Sequence, residues 1–206
     1  TYIFSRAIVP CKYHFEKRTL SSSIMELIFA THNQNKVEEI SAILPSIIEV
    51  KSLNDLNFTD QIPETSNTLR GNALIKVRTI FNKFQKNCFA DDTGLEVEIL
   101  NGAPGVHSAR FAGKNKKDED NIDKLLKELE NHHNTNAQFR TIIALIYKHE
   151  EFIFEGIIKG KIIHEIKGDN GFGYDPIFQP EHHFLTFAQI STEEKNKISH
   201  RAIALR

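Results

Sequence analysis

Two adjacent carboxylates, Asp91-Asp92, followed by Thr93-Gly94, stand directly after the apolar triplet Cys88-Phe89-Ala90. Successive side chains of a strand point to opposite faces, so the two acids are expected to have different jobs. A hard cation such as magnesium takes one or two carboxylates, keeps several waters and completes its shell with substrate phosphate. Taken alone, Asp-Asp-Thr-Gly fits a solvated turn at a strand end better than a metal site.

Other segments carry complementary chemistry. Thr31-His32-Asn33-Gln34-Asn35-Lys36 lies between an apolar strand and a helix, where backbone N–H groups and the helix dipole are available to an anion. The bland reading is a polar loop with Asn35 as a plain N-cap. Gly168 to Pro176 is glycine-rich and presents Phe172, Tyr174 and Asp175. It reads equally as a seat for a stacked base or as a tight loop whose rings plug the core. Its glycine spacing is not a dinucleotide fingerprint, and Gly156 to Lys161 is no phosphate-binding Walker loop because Ile162 stands where Ser or Thr is required. Lys195, Lys197, His200 and Arg201 lie along one C-terminal helix, with Lys197, His200 and Arg201 within a turn of each other and Lys195 to one side. His132-His133 and His182-His183 read as surface pairs without a zinc pattern.

The elements that must position these groups follow from periodicity. Leu27 to Ala30 is a short buried strand, and Val37, Ile40, Ile43 and Leu44 mark one helix face. A strand over Glu49 to Leu53 precedes a helix carrying Leu69, Ala73, Val77, Ile80 and Phe84. Cys88 to Ala90 forms a strand that is expected to stop at Asp91. Gly102 to Gly113 is turn-rich, and Ile122, Leu125, Leu126 and Leu129 mark another helix. Phe139 to Tyr147 and Glu151 to Lys159 form a hairpin about Lys148-His149-Glu150, with Lys161 to Ile166 a candidate third strand. Ser191-Thr192-Glu193-Glu194 opens the last helix as a capping box. The class is α/β.

With 206 residues, 40% of them hydrophobic, the chain can bury one substantial core or two lobes around a cleft. Its 26 basic and 27 acidic residues cancel, so it lacks the field of a nonspecific nucleic-acid binder and must meet an anion with a local cluster. Cys11 and Cys88 match no metal or redox spacing, which points to a reducing, cytoplasmic setting. No apolar run reaches the roughly 18 residues of a membrane span. Met25 is the only methionine and directly precedes the first strand, so residues 1–24 are read as an N-terminal extension and 25–206 as one domain.

In this order, six segments closely resemble the family of non-standard purine nucleoside triphosphate pyrophosphatases, the inosine/xanthosine triphosphate pyrophosphatase or Ham1-like family. They are Phe29 to Lys36, Phe89 to Val97, Asn101 to Val106, Ser108 to Gly113, Gly171 to Phe178 and Glu193 to Arg201. The resemblance implies a two-lobed α/β fold with an elongated mixed sheet, a nucleotide cleft between the lobes, a homodimer, and cleavage between the α and β phosphates of ITP, dITP or XTP. It implies that Thr31, His32, Asn33, Gln34, Asn35 and Lys36 bind the triphosphate. Asp92 would be the catalytic, metal-associated acid, with Glu64 completing the magnesium site, and Thr93 and Lys76 would contact substrate. Phe172, Gly173, Tyr174 and Asp175 would form the base loop, with Phe172 stacking and Lys195, His200 and Arg201 closing the site. The chain departs from the family pattern at Ser66, where relatives commonly have Gly, at Gly71, where they have Glu, and at His107, where they have Tyr.

Lys and Arg side chains only donate, so they suit the keto oxygen of inosine or xanthosine and meet the adenine amino group unfavourably. The same donors accept the keto group of guanine, so rejection of GTP falls to a group near the 2-position. The competing readings are a pyrophosphatase of modified pyrimidine triphosphates and a nucleotide-binding protein without turnover.

Overall fold

A computed structural model describes residues 24–113 and 117–206. Residues 1–23 of the expected extension, Cys11 among them, lie outside the described residues, and Ile24 is exposed. Six strands form one mixed sheet: β1 (Met25–Phe29), β2 (Ile48–Ser52), β3 (Cys88–Val97), β4 (Asn136–Tyr147), β5 (Glu150–Ile162) and β6 (Phe178–Pro180). Their order is β2-β1-β3-β4-β5-β6, with β1 parallel to β2 and β3 and the remaining pairs antiparallel. Helices α1 (Gln34–Ile43), α2 (Leu69–Phe84), α3 (Asp118–Leu129), α4 (Thr192–Ile198) and α5 (His200–Ala204) flank it. The expected elongated mixed sheet is present.

Alternation along β3 explains the two-lobed arrangement. Cys88 and Ala90 pack on one face with Ile142, Ala144 and the apolar side of α2. Phe89 packs on the opposite face with Phe29, Leu145, α1 and Ala204 of α5. Farther along, Leu95 and Val97 join Phe139, Leu125, Leu129 and Phe178 in a separate core. Asp91 and Thr93 occupy the face between Phe89 and Leu95, so a polar band divides two apolar masses on one continuous strand.

The sequence reading needs correction at four places. β3 does not stop at Asp91: its ladder with β4 continues from Cys88↔Ile146 to Val97↔Ala137, because both acids find partners inside the protein. Lys161 to Ile166 is not a third strand; β5 runs to Ile162, and Gly160 to Ile162 pair instead with β6. The N-cap of α1 is Asn33, whose side chain accepts from Lys36 N at 3.2 Å, and not Asn35. The last helix is two. Ser191 caps α4 by accepting from Glu194 N at 3.1 Å, as the capping motif requires. Ser199, in extended conformation, then ends α4 and caps α5 by accepting from Ala202 N at 3.2 Å. The hairpin turn is the pair Lys148-His149, both at positive φ (51° and 68°), the geometry of a two-residue primed turn.

Gly156 seats α5 against β5. A Cβ there would lie 2.0 Å from His200 O and 2.6 Å from Ala204 N, both backbone atoms that cannot rotate away. Gly156→Ala is therefore expected to lower stability by about 1–3 kcal/mol, the range for forced overpacking, measured by urea denaturation. An unchanged midpoint would disprove this close seating.

Candidate active site

The acidic pair is divided as strand geometry requires. Asp91 accepts from Lys36 Nζ at 2.8 Å, Thr93 Oγ1 at 3.1 Å and Arg201 Nε at 3.3 Å. Asp92, on the other face, accepts from Lys76 Nζ at 2.6 Å and Asn72 Nδ2 at 3.4 Å. Burial raises both carboxyls, but the outcomes differ. At Asp91 the charges of Lys36, Arg201 and Lys76 outweigh burial and hold the group well below the ordinary carboxylate range. At Asp92 burial prevails over Lys76 and Lys36, and the carboxyl stays raised. Two neighbouring acids pushed apart in this way can serve as a fixed anion and a proton acceptor.

Each acid belongs to a chain of ion pairs. On the Asp91 side, Arg201 continues to Glu39 at 2.6 Å, Glu39 to Lys195 at 2.5 Å and Lys195 to Asp175 at 2.5 Å. On the Asp92 side, Lys76 also reaches Glu64 at 3.3 Å, and Glu64 accepts from Arg110 at 2.8 Å. Burial pushes Lys36 down, whereas at Lys76 the nearby acids, Asp92 foremost, outweigh burial and raise it. Glu64 is raised by burial but carried below its usual range by Lys76 and Arg110.

A cavity of about 150 Å³ opens along this band and brings together Asn33, Lys36, Glu64, Asp92, Thr93, Phe172, Gly173, Tyr174, Asp175, His200 and Arg201. Lys76 stands behind Asp92, and Lys195 behind Asp175. The rest of the expected triphosphate loop is used differently. Thr31 Oγ1 accepts from Asn33 N at 3.1 Å, Gln34 turns to Glu38, and Asn35 lines a neighbouring groove. His32 bonds Asn54 Oδ1 at 3.0 Å and Asp60 O at 3.2 Å and stacks on Phe58, so its side chain braces a loop.

At the other end, the centroid of the Phe172 ring lies 5.2 Å from Lys195 Nζ and 5.3 Å from the Arg201 guanidinium carbon, within cation–π reach of both. The loop is shaped by Asp175, whose Oδ2 accepts from Phe172 N at 2.9 Å. Gly171, at φ 77°, permits this turn, since a Cβ there would fall 2.1 Å from the same oxygen. Tyr174 is fixed by donating to Ser108 O at 2.9 Å. His200 stacks on Phe139 with ring centroids 4.8 Å apart, and among the described residues both of its ring nitrogens lack a partner while it lines the cavity. The terminal basic residues are thus not a solvated face, except Lys197, which is exposed and pairs with Glu193.

Sequence reasoning missed four contributors. Glu39 joins the two C-terminal cations; its only local signal is an acid beside the apolar positions Val37 and Ile40. Asn72 supports Asp92, Arg110 holds Glu64, and Thr141 meets Thr93 with a 2.6 Å contact between hydroxyls. Arg110 lies inside a motif singled out from sequence without a role.

A mixed sheet carrying a cleft lined by charges of both signs and by aromatic rings, with two unlike carboxylates on a central strand, defines an α/β protein with a polar ligand site. The chain belongs to the Ham1 family, whose model matches residues 27–206. It is 54% identical over 182 residues to the dITP/XTP pyrophosphatase of Flavobacterium psychrophilum, covering 88% of this chain and 96% of that protein. Identity to the dITP/XTP pyrophosphatase of Porphyromonas gingivalis is 50% over 181 residues, covering 87% of this chain and 93% of that protein. Among solved structures, the Ham1 protein of Coxiella burnetii superposes with a TM-score of 0.80 at 38% identity, covering 88% of this chain and 94% of that one. The Staphylococcus aureus Ham1 protein gives 0.78 at 41% identity, covering 87% and 94%.

Two outcomes follow from the geometry. Glu39→Gln removes the charge that balances Lys195 and Arg201, and stability is expected to fall by about 3–5 kcal/mol in chemical denaturation; a loss under about 1 kcal/mol would show the web to be dispensable. His200 is held well below 6.5 by burial, then by Arg201 and Lys195. Below pH 6.5 the unfolded chain therefore binds a proton that the folded chain refuses, and stability falls with falling pH by up to about 1.4 kcal/mol per unit. His200→Gln should show a shallower decline between pH 6.5 and 5; parallel curves would refute the linkage.

Proposed function

We propose that this chain hydrolyses non-standard purine nucleoside triphosphates, dITP, ITP and XTP, to the monophosphate and pyrophosphate, with Mg2+ as cofactor. The observation that carries the reading is the division of Asp91 and Asp92 between opposite faces of one strand, the first held by Lys36 and Arg201 and the second by Lys76, beside a cavity lined by charged and aromatic side chains, in a chain about half identical to enzymes named for this activity.

The residues fit a magnesium ion. Asp92 and Glu64 both point at Lys76 Nζ, one positive group held by two carboxylates. Among the described residues no group of three or more His, Cys, Asp or Glu side chains gathers to hold a metal. An ion held here would have Asp92 and Glu64 as its protein ligands and would fill its shell with water and phosphate. When bound, such an ion neutralises phosphate charge and acidifies a coordinated water.

The chain's own groups do the rest. Asn33 and Lys36 meet the triphosphate at the start of α1, with Lys36 and Lys76 offsetting charge as the pyrophosphate departs. Asp92 accepts the proton of the water that attacks the α-phosphorus, while Asp91, ionised throughout, keeps Lys36 and Arg201 in place. Phe172 offers a face for the base, and the Arg201 guanidinium offers donors to its keto oxygen. The proposal includes a homodimer, which rests on the resemblance, and a cytoplasmic setting, which rests on cysteine usage. Among the described residues no helix is long and apolar enough to cross a membrane.

A panel of ITP, dITP, XTP, GTP, dTTP and dUTP with Mg2+ and pyrophosphate detection tests the reading. Fast release from the first three is expected; preference for the pyrimidines, orthophosphate release, or binding without turnover would each replace it with another function. Asp92→Asn is expected to lower kcat by about 10²–10⁴-fold. A variant as active as the parent would remove Asp92 from the mechanism.

A further inference from the structure

Gly71 lies in the first turn of α2, where its backbone is helical and open to any residue. Glycine is a poorer helix former than alanine, so the position gains nothing locally from it. The reason is space. A Cβ at position 71 would lie 2.0 Å from Ser66 Oγ and 2.5 Å from Ser66 Cβ. Rotating the serine hydroxyl relieves the first contact but not the second, because the Ser66 Cβ is fixed to its backbone. Any side chain at 71 must therefore displace the segment that carries Glu64.

Ser66 is itself tied in. Its Oγ accepts from Thr68 N at 3.1 Å and contacts Thr68 Oγ1 at 3.1 Å, and that second hydroxyl caps α2 by accepting from Gly71 N at 3.1 Å. The Ser66 N–H donates to Asn72 Oδ1 at 2.9 Å, which orients the fully buried Asn72 amide so that Nδ2 faces Asp92 Oδ2. Glu64 stands two residues before Ser66, and Lys76, one turn beyond Asn72, holds both Glu64 and Asp92.

We infer that Ser66 and Gly71 are an interlocked pair in which Gly71 is the positioning residue: the missing side chain at 71 leaves room for the serine, so the backbone at 66, whose N–H holds Asn72 toward Asp92, and Glu64 two residues before it keep their places. The positioning role rests on the proposed function of those two carboxylates, whereas the interlock itself does not. Neither residue lines the cavity.

The test is a double-mutant cycle in the full chain: wild type, S66G, G71A and S66G/G71A. Three readouts are needed: the thermal midpoint, kcat and KM for pyrophosphate release, and Mn2+ binding followed by electron paramagnetic resonance without nucleotide. G71A is expected to lower the midpoint by several degrees, kcat by about tenfold with KM within about threefold, and Mn2+ affinity by about fivefold. S66G should change each rate or affinity by less than about threefold, and the double variant should return to the S66G values. If G71A is insoluble while the double variant folds, the interlock is equally supported. Additive effects on the midpoint overturn the interlock. Coupled midpoints with unchanged kcat and Mn2+ affinity in G71A overturn the positioning role. A wild type that releases no pyrophosphate refutes the proposed function instead, and the midpoints still decide the interlock.

Discussion

The alternating line of buried charges from Lys36 through Asp91, Arg201, Glu39 and Lys195 to Asp175 is the constraint on which the rest of the structure depends. Desolvating a charge costs several kcal/mol, and a buried ion pair often contributes less to stability than apolar packing would. Such a line is therefore a poor way to make a core and a good way to fix cations at chosen points. It draws its members from α1, β3, the Asp175 loop, α4 and α5, so these elements cannot shift independently. Removing any single charge takes a partner from each of its neighbours.

Strand alternation then converts adjacency in sequence into separation in chemistry. Asp91 faces the line of charges and is kept ionised, while Asp92 faces α2, where a lysine shared with Glu64 only partly offsets its burial. A turn in place of β3 would have left both acids in similar solvent, with similar affinities for a proton. The ladder to β4 is what makes them unlike.

Much of this was legible in the sequence where the signal is periodic and local. The apolar faces of α1, α2 and α3, the β4–β5 pairing and the Ser191 cap are carried by residues a few positions apart. The continuation of β3 was not, because Asp-Asp-Thr-Gly has the composition of a turn and its partners lie far away; Arg201 is 110 residues from Asp91. Glu39 was hidden for the same reason, being 156 and 162 residues from Lys195 and Arg201. The hairpin turn carries Lys and His where Asn-Gly would be expected, and the break at Ser199 replaces one helix by two. Resemblance supplied Asp92, Glu64 and the terminal basic residues without geometry. It marked Ser66 and Gly71 only as departures, and the structure places the two against each other.

The unbroken ladder from Cys88↔Ile146 to Val97↔Ala137 passes beneath the cleft and belongs to both apolar masses. In mechanical terms the cleft has a continuous floor: swinging the lobes apart would bend strands paired over ten consecutive registers. Thermodynamically the shared strand links the apolar clusters on its two faces and at its far end, since residues of β3 belong to all three.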